Sequence, residues 1–120
     1  PMELRRGKDG TSDHLVVYSL GNFISNMSRE HTDGGVMVKV VLGRKGLRRY
    51  IASAQYLLIY SSRYKNEQGK EDIRVVPAAS WSGKNQNSSF SVDSALIKYV
   101  NNTRLFLKGN NKEVEEYIFE

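Results

Sequence analysis

Val36-Met37-Val38-Lys39-Val40-Val41-Leu42-Gly43-Arg44-Lys45-Gly46-Leu47-Arg48-Arg49-Tyr50-Ile51-Ala52-Ser53-Ala54-Gln55-Tyr56-Leu57-Leu58-Ile59-Tyr60 decides the fold class. Its first seven residues put Val36, Val38, Val40 and Leu42 on one face, with Met37, Lys39 and Val41 on the other. After the turn, Tyr50, Ala52, Ala54, Tyr56, Leu58 and Tyr60 alternate with Arg49, Ile51, Ser53, Gln55, Leu57 and Ile59. A period of two is the signature of a strand, because successive side chains leave opposite faces of the pleat. Two such runs joined by Gly43-Arg44-Lys45-Gly46 predict a long β-hairpin over about 36–60, with room for a bulge or a break.

Outward from this hairpin the signals change. His14-Leu15-Val16-Val17-Tyr18-Ser19-Leu20 is short and apolar almost throughout, which predicts a strand covered on both faces. It stops at Gly21-Asn22, and Phe23-Ile24 then return the chain to the core. Residues 25–35 and 61–70 are polar loops. Asp72-Ile73-Arg74-Val75-Val76-Pro77 is a short strand stopped by proline. Residues 78–89 read as a loop. Val92, Leu96, Tyr99, Val100, Thr103, Phe106 and Leu107 follow helical spacing. Ser91 reads as the N-cap and Gly109 as the C′ stop, so a helix is expected over 92–108. A second short helix is expected over Lys112 to Phe119. The order is α+β: antiparallel strands, then an amphipathic helix and a helical tail. The chain divides into a β-rich part, 1–78, and a loop-plus-helix part, 79–120, with no linker between them.

Composition excludes several functions. The 120 residues contain no cysteine, so there is no disulfide framework, Cys-based zinc site or thiol nucleophile. No apolar run reaches the roughly 20 residues that span a bilayer, and no apolar stretch follows Arg5-Arg6 as in a signal peptide. The chain opens on Pro1 rather than Met2, which reads as a trimmed or excised start. Only two histidines are present, His14 beside Asp13 and His31 between Glu30 and Asp33. Neither has His-x-x-x-His or Glu-x-x-His spacing, so no metal site is expected within the chain. The formal net charge is +5. Its densest source is Arg44, Lys45, Arg48 and Arg49, a candidate polyanion-binding turn. No RNA-binding signature accompanies it, so nucleic acid is not the expected partner.

Tyr18-Ser19-Leu20-Gly21-Asn22-Phe23 resembles the Tyr-Ser-Leu-Gly-Asn-Phe signature of the bacterial capsule-synthesis CapA family, the poly-gamma-glutamate synthesis proteins, which are similar to calcineurin-like metallophosphoesterases. In that family a His-Pro-His-x-x-Gln-Pro run precedes the signature by one hairpin. Pro1-Met2-Glu3 then correspond to the last proline and its successors. Gly34-Gly35-Val36-Met37-Val38-Lys39-Val40, the return strand Tyr50 to Tyr60, and Ile73-Arg74-Val75-Val76-Pro77 match the layout that follows. The resemblance covers residues 1–78.

The resemblance implies that the chain is the C-terminal part of a longer cell-envelope protein with a metallophosphoesterase-like sandwich. The parent's divalent-metal ligands would then lie ahead of Pro1. Within this chain it implies no catalytic residue, no metal ligand and no cofactor. Ser19, Gly21 and Asn22 are the candidates to touch substrate or to orient the parent's ligands. The expected partners are the N-terminal remainder of the parent and, through exposed strands, a second copy of the chain.

Overall fold

A computed structural model describes residues 1–8, 12–24, 26–27, 29, 32–78 and 94–117. Among these residues, six strands and one helix follow in order: β1 (Met2–Arg5), β2 (His14–Val17), β3 (Gly34–Lys45), β4 (Arg48–Lys65), β5 (Glu71–Pro77), α1 (Ser94–Asn110) and β6 (Glu115–Glu116). The described residues are thus mostly antiparallel β-sheet with one helix. β1 and β2 form a hairpin of their own. β4 is the spine of the other sheet, paired antiparallel with β3 and with β5, and parallel with β6.

The two sheets are tied at two places. The Lys112 N–H donates to the Met2 carbonyl, and the Leu4 N–H donates to the Lys112 carbonyl, both at 3.0 Å. On the other side, Gly21 bridges antiparallel to Gly35. The hairpin of β1 and β2 therefore shares one core with the larger sheet. Met2 and Leu4 from β1, Ile51, Ala54, Tyr56, Leu58 and Tyr60 from β4, Leu96, Val100 and Leu107 from α1, and Val114 fill it.

The long hairpin is present, and it is longer than its alternating core. β3 and β4 extend to Lys45 and from Arg48, so the turn is the two-residue Gly46-Leu47 rather than Gly43–Gly46. Gly46 takes φ +62°, the left-handed value that a tight hairpin asks of its first central residue. The bulge falls where Val41 pairs with Ser53 but Leu42 pairs with Ile51. Ala52 is the extra residue. It reverses the phase of the alternation, so Ile51 joins Ala54, Tyr56, Leu58 and Tyr60 on the buried face. A strict period of two places Ile51 on the opposite face.

Other expectations are corrected. β2 is not covered on both faces. Leu15, Val16 and Val17 are half-buried, while His14, Tyr18 and Leu20 are exposed. Among the described residues β2 pairs only with β1, and Leu15 and Val17 are its residues packed on the core.

The helix passes through Gly109 to Asn110, so Gly109 does not stop it. The proposed Ser91 cap and the 78–89 loop fall outside the described residues, apart from Ala78, which is buried. Phe106, assigned to the buried helix face, is exposed.

No second helix forms over the described residues Lys112–Tyr117. That segment bridges to Glu3, turns at Glu113 with φ +54°, and becomes β6. The backbone groups offered by β1 and β4 capture it as a strand. The Tyr117 N–H completes the capture by donating to the Tyr56 carbonyl at 2.7 Å. Arg104 fixes the same segment with a two-pronged pair to Glu116, at 2.9 Å from Nη2 and from Nε.

Candidate functional site

The Tyr18–Phe23 segment lies along the start of β3, and glycine makes the approach possible. The Val36 N–H donates to the Leu20 carbonyl at 2.8 Å, and the Asn22 N–H donates to the Gly34 carbonyl at 3.1 Å. A Cβ on Gly35 would sit 2.5 Å from the Leu20 oxygen and 2.8 Å from the Asn22 oxygen. Gly21 takes φ +70°, and a Cβ there would meet the Gly34 oxygen at 2.9 Å. Only hydrogen fits at these facing positions.

Behind the glycines stands Tyr99 of α1. Its hydroxyl donates to the Gly35 carbonyl at 2.9 Å, and its ring tilts against Tyr60 with centroids 5.6 Å apart. Burial pushes the Tyr99 phenol far above its ordinary value, so it remains a neutral donor. Tyr99→Phe is expected to cost about 1 kcal/mol, because the one hydrogen bond from α1 to the Gly35 carbonyl is lost while that carbonyl keeps its place opposite Ile59 in the β3–β4 ladder. Denaturant unfolding reads this directly. A change below about 0.5 kcal/mol would mean the hydroxyl adds nothing beyond the ring.

Of the predicted site residues, Gly21 has a backbone role. Asn22 is half-buried and closes the polar loop, its side-chain amide donating to the Thr32 carbonyl at 3.0 Å. Ser19 is exposed, and its hydroxyl accepts the Gly21 N–H at 3.3 Å. Ser19 and Asn22 therefore shape the turn that carries them. Sequence reasoning named this turn but missed Tyr99 as its support. Helical spacing placed Tyr99 only on the buried face of α1.

A second arrangement was also missed. Asp13 of the β1–β2 connection accepts the Gly7 N–H and the Ile51 N–H, both at 2.9 Å, and pairs with Arg6 at 3.2 Å. Arg6 in turn donates to the Ile51 carbonyl. Ile51 flanks the bulge, so two side chains serve its backbone as a neighbouring strand would. Gly7, then Ile51, hold the Asp13 carboxyl below the usual carboxylate range. The sequence showed Asp13 only as a neighbour of His14, and His14 is exposed and takes no part.

The 44–49 turn brings all four predicted cations together at the hairpin tip. Arg44 faces Arg49, and Lys45 faces Arg48. None of the four pairs with an acidic side chain among the described residues. Also among the described residues, no group of three or more His, Asp or Glu side chains could hold a metal ion, and no helix is long and apolar enough to cross a membrane. His31 lies outside the described residues. Comparison with family models, curated proteins and solved structures finds no match to this chain.

Proposed function

We propose that this chain is the C-terminal portion of a bacterial capsule or poly-gamma-glutamate biosynthesis protein of the CapA type, acting at the cell envelope and not catalytically competent alone. One observation carries the reading. The backbone of the quoted hexapeptide is locked between Gly21 and Gly34-Gly35, yet its apolar side chains are uncovered. Tyr18 is 57% exposed and Phe23 56%, with Leu20 and Ile24 exposed beside them in sequence. A turn held rigidly and left apolar on its outer side is suited to receive another layer of protein. In this reading the N-terminal remainder of the parent supplies that layer and completes a metallophosphoesterase-like sandwich. Any divalent metal pair belongs to that remainder. The hexapeptide turn then presents Ser19 and Asn22 toward it.

The test begins with the reading frame. Upstream of Pro1 it is expected to encode a His-Pro-His run one hairpin before Tyr18. Disrupting the frame is expected to lower the envelope polymer of the source cell, and only the extended chain is expected to bind a divalent metal pair. An unrelated upstream sequence, or a metal pair bound by these 120 residues alone, overturns the proposal.

A further inference from the structure

From Gly34 to Asn66 the sequence holds seven Lys and Arg residues and no Asp or Glu. Those seven exceed the net charge of +5, so the rest of the chain is net negative. The charge is therefore concentrated on the long hairpin rather than spread over the surface. β4 has 18 residues, and at roughly 3.3 Å per residue it reaches nearly the full 59 Å length of the molecule. The Gly46-Leu47 turn lies at one end of that length.

The tip has a specific composition. Cross-strand partners share a face, so Arg44 and Arg49 stand on one side of the ribbon, and Lys45 and Arg48 on the other. The four form a collar around the turn. Like charges directly opposite each other destabilise a hairpin, and here two such pairs are adjacent. Beyond the collar, at the apex, Leu47 is 94% exposed. Behind it on the Arg44 face, Leu42 is 76% exposed. Cations that merely guard a sheet edge against pairing leave an apolar apex unexplained. A nucleic-acid surface would place rings among its cations for base stacking. The tip offers a single ring for this, Tyr50, which lies over Gly43 on the Lys45 and Arg48 face, where a Cβ would meet it at 2.3 Å, and not the series of rings that successive bases need.

We infer that the hairpin tip docks on an anionic lipid surface, with Leu47 entering the headgroup region and Arg44, Lys45, Arg48 and Arg49 contacting lipid phosphates. The charge complementarity is direct. Each cation near an anionic leaflet adds attraction, and the phosphates relieve the repulsion between the facing pairs. Leucine is the side chain that gains from leaving water at the same depth. The inference rests on the tip alone and stands whether or not the proposed parent is correct.

The experiment is co-sedimentation of the full chain with vesicles of phosphatidylglycerol and phosphatidylcholine in equal parts, with pure phosphatidylcholine as control. Binding is expected to the anionic vesicles only and to fall with added salt. Leu47→Ser is expected to weaken it about tenfold. Arg44→Gln with Arg49→Gln is expected to weaken it more than about tenfold. Both changes lie at exposed positions, and circular dichroism checks that the fold is kept. Leu47→Trp in a Trp81→Phe background is expected to shift its emission to the blue on anionic vesicles. Three results would overturn the inference: no binding, Leu47→Ser binding as wild type with no emission shift, or single-stranded polynucleotide displacing the chain from vesicles at equal phosphate concentration.

Discussion

Gly35→Ala is expected to destabilise the chain by about 3 kcal/mol. The new methyl would stand 2.5 Å from the Leu20 oxygen and 2.8 Å from the Asn22 oxygen, both backbone atoms with no rotamer to yield. Relief requires the 20–22 segment to leave β3, which breaks the bonds from Val36 to Leu20 and from Asn22 to Gly34. Gly21→Ala strains the same contact from the other side. Its φ of +70° costs an L-residue roughly 1–2 kcal/mol, before its methyl meets the Gly34 oxygen. Because both substitutions act on one approach, their costs should not add. Once either has lifted the segment, the second meets less resistance, and the double variant should fall short of the sum by more than about 0.5 kcal/mol. Denaturant unfolding of the two single variants and the double variant tests this. Strict additivity would mean that the hexapeptide and the glycine pair are not one unit.

That unit shows where sequence reading reaches and where it stops. The hexapeptide and Gly34-Gly35 were both visible as strings, thirteen residues apart from Gly21 to Gly34. That they meet face to face is a tertiary fact, set by the antiparallel bridge from Gly21 to Gly35. The hairpin was legible because alternation is local and its apolar face must be buried. Its bulge was not, because inserting Ala52 leaves the residue types unchanged and alters only which face each one takes. The segment after Asn111 was misread for a related reason. Glu113, Glu115 and Glu116 suit the first turn of a helix in isolation, but helix formation there competes with unpaired strand edges on β1 and β4 that no local pattern reveals. Apolar character alone places Tyr18, Leu20 and Phe23 in a core, whereas all three are exposed. Their exposure is the feature that gives the proposed function its support.

Asp13→Asn is expected to destabilise the chain at neutral pH and to remove part of its sensitivity to acid. The carboxylate has one oxygen on the Gly7 N–H and the other on the Ile51 N–H, with Arg6 on the Ile51 side. An asparagine offers one acceptor oxygen, and its NH2 must face a backbone donor or the guanidinium. One of the buried contacts is then lost and replaced by repulsion between donors. Arg6→Ala leaves both backbone bonds in place and is expected to cost less. The pH dependence follows from the direction of the shift. Gly7, Ile51 and Arg6 favour the charged form, so the folded-state pKa of Asp13 lies below its unfolded value. A group shifted this way contributes fully above the ordinary Asp value of about 3.9 and loses its contribution as pH falls through the lower folded-state value. Thermal midpoints of wild type and Asp13→Asn should therefore differ most near neutrality and converge in acid. A gap that stays constant with pH, or widens in acid, would assign the loss to packing rather than to the carboxylate that stands in for a strand at the Ala52 bulge.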